Sequence, residues 1–91
     1  MELKNVIKKE IFIKNKDELR ELFGKYDENI KLVNQYFSVK ISTQNDSKLV
    51  ITGIKREVNS SSKIIEGLLS IIREGHPLSM SQVKYLSLIH I

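Results

Sequence analysis

The chain has 91 residues, with 15 Lys+Arg against 11 Asp+Glu, a formal net charge of +4 and 41% apolar residues. That length holds one compact domain, and that composition belongs to a folded globular chain rather than a disordered tail. There is no cysteine, which excludes disulfides, thiolate metal sites and cysteine nucleophiles. The modest basic excess permits an anionic partner such as nucleic acid without requiring one.

The two histidines, His76 and His90, form no HxxxH or HxxE pair, so a catalytic metal cage is not expected. No stretch approaches the roughly 18 apolar residues of a membrane helix. Met1-Glu2-Leu3-Lys4 leads into a mixed charged segment, which predicts no secretory signal and a cytoplasmic location.

In chain order, Ile7, Ile11 and Ile13 alternate with Lys8, Glu10 and Lys14, predicting a half-buried strand over Ile7–Lys14 with Phe12 as the apolar exception. Asn15 is a helix N-cap, and Glu18 three positions later completes a capping box. Leu19, Leu22 and Phe23 give a short helix that Gly24 ends as a left-handed C′ residue. Asp27 caps a second helix, whose buried face is Ile30, Val33 and Phe37, with Leu32 and Tyr36 beside it.

Val39–Ser42 and Lys48–Thr52 read as strands of an antiparallel hairpin around the polar turn Gln44–Ser47, with Gly53 closing the second. A long helix follows to about Glu74 through Val58, Ile65, Leu68, Leu69 and Ile72; the poor helix formers Asn59–Ser62 predict fraying or a late start. Gly75 and Pro77 stop it, and Ser79-Met80-Ser81 opens a last helix through Val83, Leu86 and Ile89. Three strands cannot bury both faces by themselves, so the reading is an α+β fold: a three-stranded antiparallel sheet with helices on one face and a C-terminal helical extension.

One segment carries functional information. Leu22-Phe23-Gly24-Lys25-Tyr26-Asp27-Glu28-Asn29-Ile30 places a glycine-led turn between two helices, and the β-α-α-β-β-α order surrounds it. This resembles type I KH domains, whose GxxG turn contacts the nucleic-acid backbone. The resemblance implies RNA contact through Gly24, Lys25, Tyr26, Asp27, Lys31 and Lys40.

Asp27 stands where the second glycine of that turn would be. As an N-cap, its carboxylate would occupy the helix N–H groups a phosphate would use. Between Asp17 and Phe37, five acidic residues (Asp17, Glu18, Glu21, Asp27, Glu28) face three basic ones (Arg20, Lys25, Lys31). By themselves, the residues fit both a tight helix–turn–helix connection and direct contact with nucleic acid.

A narrower resemblance covers roughly Ile11 to Tyr85. The LFG-x-x-DEN segment (Leu22 to Asn29), Val39-Lys40-Ile41, and Arg73-Glu74-Gly75-His76-Pro77-Leu78 with Val83-Lys84-Tyr85 look like the N-terminal region of PhoH-like proteins. In that family a KH-like domain precedes a P-loop ATPase domain. The resemblance implies an RNA-binding accessory module over 1–75 and an extension or linker over 76–91. Its alternative is a module that assembles or positions the ATPase, with homo-oligomers formed through the parent protein.

Neither Gly24, Gly53, Gly67 nor Gly75 begins GxxxxGK[ST], so ATP and Mg are expected only for the family's other domain and no cofactor for this chain. No nucleophile–base pair is visible, and the chain by itself is not expected to be an enzyme. His76, at a helix end with no acid or nucleophile partner, reads as a capping or exposed residue. Leu86-Ser87-Leu88-Ile89-His90-Ile91 reads like a translated transposon end of the kind used in library preparation, which an independent clone tests.

Two basic sets remain, Lys4, Lys8, Lys9, Lys14 and Lys16 near the start and Lys40, Lys48, Lys55, Arg56 and Lys63 around the hairpin and long helix. If both meet on one sheet face, they make a better anion surface than the turn.

Overall fold

Alternating apolar residues build three strands, β1 (Val6–Phe12), β2 (Val39–Gln44) and β3 (Lys48–Ile54), in a computed structural model that describes residues 6–89. Lys4 and His90 lie outside the described residues. The strands form one antiparallel sheet in the order β1-β3-β2, with β3 central. The hairpin tip is a tight turn in which Asn45 and Asp46 both have positive φ and Ser47 N–H donates to the Gln44 carbonyl at 3.0 Å. That left-handed pair is what a two-residue turn between twisted strands needs, and Asn and Asp tolerate it.

Among the described residues, four helices accompany the sheet, α1 (Lys16–Phe23), α2 (Glu28–Tyr36), α3 (Lys55–Arg73) and α4 (Met80–Ile89), with a 3-10 turn at Lys25–Asp27. The register puts Ile11, Leu49 and Thr43 in one cross-strand row and Lys9, Ile51 and Ile41 in the next, so these side chains share a face. Ile11, Leu49 and Ile51 of that face are buried with Val58, Ile65 and Leu68 of α3, Leu22 of α1, Val33 of α2 and Val83 of α4. Burying each of these large side chains contributes about 1.5–3 kcal/mol, which makes this cluster the main source of stability.

Four local expectations change. Gly53 does not close β3; it lies inside the strand, pairing with Ile7 and Val39, and its missing Cβ leaves room for the Ser38 carbonyl and Val58. β1 ends at Phe12, although Ile13 beyond it is fully buried and donates its N–H to the Ser47 carbonyl at 2.8 Å.

α3 is continuous through Asn59–Ser62 and starts at once after β3. The Ser61 hydroxyl donates to the Glu57 carbonyl at 2.8 Å and the Ser62 hydroxyl to the Asn59 carbonyl at 3.0 Å. Back-bonding satisfies both buried hydroxyls, so burial overrides their poor propensity.

Glu18 does not complete a capping box. Asn15 caps α1 by accepting from Glu18 N–H at 2.9 Å, but the Glu18 carboxylate accepts from Lys14 N–H at 2.9 Å and from Arg73. Arg73 grips it in a two-pronged pair, Nε to Oε2 at 2.7 Å and Nη2 to Oε1 at 2.8 Å, and also reaches the Phe12 carbonyl at 3.2 Å. The Arg73 guanidinium holds the Glu18 carboxyl below its ordinary pKa, against the opposing effect of burial. This pair ties the start of α1 to the end of α3.

The last two helix ends follow the sequence closely. Gly75, at φ 86°, closes α3 in a Schellman arrangement, with Gly75 N–H on the Ile72 carbonyl and His76 N–H on the Ile71 carbonyl. At the start of α4, Ser79 Oγ accepts from Gln82 N–H at 3.2 Å while Gln82 Oε1 accepts from Ser79 N–H at 2.9 Å. This is the reciprocal capping box that Glu18 does not make. Among the described residues, no helix is long and apolar enough to cross a membrane.

Candidate nucleic-acid interface

The turn between α1 and α2 is built by a glycine and an asparagine. Gly24 has φ 80° and ψ 177°, so it is not the left-handed C′ residue expected but sits in an extended region at positive φ that is essentially reserved for glycine. Its N–H donates to the Arg20 carbonyl at 2.9 Å. The Asn29 side chain, buried on α2, reaches back to donate Nδ2 to the Leu22 carbonyl at 3.2 Å. Asn29 thus closes the free carbonyl end of α1 from the neighbouring helix, a role the sequence reading did not assign.

Beyond Gly24 the backbone is strained. Tyr26 (φ 56°) and Asp27 (φ 58°) are consecutive left-handed residues. Each costs about 1–2 kcal/mol for a non-glycine residue, with aspartate the better tolerated of the two. The result displays Tyr26 at the tip, 81% exposed, with Lys25 Nζ 5.6 Å from its ring centroid.

Asp27 occupies the N-cap position of α2 but makes no capping hydrogen bond. The expectation that its carboxylate would occupy the helix N–H groups is therefore corrected. A left-handed backbone swings the side chain away from the geometry in which an N-cap accepts from N2 or N3. The positive end of α2 is left without a side-chain cap, although Glu28 in its first turn opposes an anion there.

Two clefts flank the turn. One, of about 360 Å3, runs between α1 and the hairpin tip and is lined by Lys16, Leu19, Arg20, Phe23, Gly24, Asp27 and Asp46. Its charges balance, and Lys16 Nζ stands 3.8 Å from Asp46 across its mouth. The other, of about 370 Å3, lies toward α4, with Arg20, Lys25, Glu28 and Met80 among its walls.

Of the six residues predicted for the site, Gly24, Lys25, Tyr26 and Asp27 form the turn itself. Lys31 is exposed on α2 and lines neither cleft. Lys40 is remote in kind: β2 alternation places it with Lys8 and Thr52 on the sheet face away from α3. Arg20, which borders both clefts, and Lys16 are the cations that the fold adds. Tyr36 is half-buried against the core. Among the described residues, no group of three or more His, Cys, Asp or Glu is placed to hold a metal ion.

No protein-family model, curated protein or solved structure matches the chain.

Proposed function

We propose that the chain is a KH-like module that binds single-stranded RNA through the Gly24–Asp27 turn and the adjoining cleft, as the front part of a PhoH-like ATP-binding protein. The observation that carries this reading is the turn's strained backbone. Two left-handed non-glycine residues cost stability and pack nothing; what they achieve is an exposed tyrosine beside a lysine at the uncapped start of a helix. An aromatic ring with neighbouring cations is what an unpaired base and its phosphates need.

The chain order β1-α1-α2-β2-β3-α3 also follows that of type I KH domains. Lys16 and Arg20 supply phosphate contacts along α1, while Asp27 and Asp46 moderate them and make the expected binding weak and salt-sensitive. ATP and Mg belong to the family's other domain.

The test is a titration of the chain with a labelled single-stranded RNA at low and moderate salt. Binding that weakens as salt rises supports the reading, and no binding at low salt contradicts it. A second reading, a module that assembles the parent protein, draws on the exposed apolar residues Met80 and Tyr85 of α4. It predicts self-association or capture of the ATPase domain without RNA binding.

A further inference from the structure

The face of the sheet turned away from α3 carries chemistry that the turn does not use. Strand alternation and register place Lys8, Thr52 and Lys40 in one cross-strand row, with Thr52 in the middle. Two rows along, Phe12, Lys48 and Gln44 form another, and Phe12 is 67% exposed. Between them Val50 is buried at the centre, and Lys48 Nζ lies 3.4 Å from Glu10. Lys8 and Lys40 have no ion-pair partner among the described residues. Of the residues counted in the two basic sets, Lys8, Lys40 and Lys48 meet on this face, while Lys9 has the parity of the core side.

We propose that this open face is a second RNA-contact surface, in which Lys8, Thr52 and Lys40 hold a phosphate of a single strand and Phe12 stacks one of its bases. The inference rests on the reading that the chain binds single-stranded RNA. Neighbouring strands lie about 4.8 Å apart, so the two lysines flank the Thr52 hydroxyl at a backbone separation of about 10 Å. Their long stems converge over that hydroxyl on a single anion. Phe12 is four residues from Lys8 on β1, about 13 Å along the strand, so a short single strand laid along the sheet touches both.

Charge complementarity selects the occupant. One acidic residue, Glu10, stands among three lysines on this face, and it is engaged by Lys48. A second copy of the chain packed here would set lysines against lysines, which disfavours self-pairing. A nucleic-acid backbone has the opposite sign, and its bases suit an exposed aromatic ring.

The experiment titrates the full chain and its variants with a fluorescent single-stranded oligouridylate of roughly 12 nucleotides across a range of salt. The variants are the Lys8→Gln/Lys40→Gln double substitution, Phe12→Ser, and Tyr26→Ala in the turn. All four positions are exposed, and circular dichroism checks that each variant keeps its fold.

The double substitution is expected to weaken binding about tenfold and to lower the slope of log affinity against log salt by about 0.7, the share of one phosphate on a single strand. Phe12→Ser is expected to cost about fivefold or more with the slope unchanged. If the wild-type chain binds and Tyr26→Ala weakens it while the sheet variants bind as wild type, the second surface is overturned and the turn reading stands. If the wild-type chain does not bind at low salt, the functional reading itself fails and this surface with it. Self-association lost in Phe12→Ser, with RNA affinity unchanged, would assign the face to a second copy and overturn the proposal.

Discussion

Asn29 fills the space beside Gly24 that the Cβ of any other residue would need: a Cβ built on Gly24 would stand 2.7 Å from Asn29 Nδ2. The same amide closes α1 through the Leu22 carbonyl, so the two residues form one latch. Gly24→Ala combines that collision with a positive φ and is expected to cost about 2 kcal/mol or more, read by urea denaturation. Asn29→Ala leaves the α1 carbonyl without its donor and costs about 1–2 kcal/mol. Because removing the amide also removes the collision, the double variant should lose clearly less than the two single losses added together. Additive losses would mean that the two residues do not interlock.

The Glu18–Arg73 pair makes stability depend on pH in a defined direction. The folded carboxyl titrates below its unfolded value, so its contribution is complete above the unfolded pKa and is lost as pH falls through the folded one. Unfolding measured against pH should show that acid loss in the wild-type chain and a reduced one in Glu18→Gln. Arg73→Ala strands a carboxylate that is 6% exposed. Its cost is about 2 kcal/mol, below the 3–5 kcal/mol typical of a fully buried pair because the arginine is 35% exposed.

Asp27→Gly separates backbone strain from charge. Glycine accepts the φ of 58° without penalty, so the variant should gain about 0.5–1 kcal/mol despite glycine's greater unfolded freedom. It also removes an acidic group from the cleft and should tighten RNA binding. Asp27→Asn tolerates the left-handed backbone and drops the charge, so it should match the gain in affinity with little gain in stability. Tighter binding by the glycine variant only would mean that backbone freedom, and not charge, limits the site.

Ser87 presents the reverse case to Ser61. Its hydroxyl is buried in α4 and makes no hydrogen bond among the described residues, whereas Ser61 donates to the Glu57 carbonyl. Ser87→Ala is expected to be neutral or stabilising by up to about 1 kcal/mol in thermal unfolding. A clear loss of stability would mean that the hydroxyl has a partner.

Much of this was legible because it is local. The Asn15 cap, the Gly75–Pro77 stop, the alternation in β1 and the buried stripe Ile30, Val33, Phe37 depend on neighbours within a few residues, and the helices and sheet follow from them. What escaped depends on distant chain. Glu18 satisfies the capping-box spacing, but its carboxylate is held by the Lys14 N–H and by Arg73, 55 positions away, instead of by the Asn15 N–H. Asn29 stands in plain view in the LFG-x-x-DEN segment, yet only the crossing of α1 and α2 brings its amide to the Leu22 carbonyl.

For the site, the glycine-led turn was readable and the role of Asp27 was not, because its left-handed backbone is imposed by the tight connection. Lys40 illustrates a different gap. Its parity on β2 was evident, but only the strand order turns that face away from the turn.

The most direct test follows the backbone amides of the isotope-labelled chain by NMR as single-stranded oligouridylate is added at low salt. The amides of Gly24 through Asn29 are expected to shift progressively and to reverse when salt is raised. Saturating RNA that leaves those six amides unmoved would contradict the assignment of the turn as the binding element.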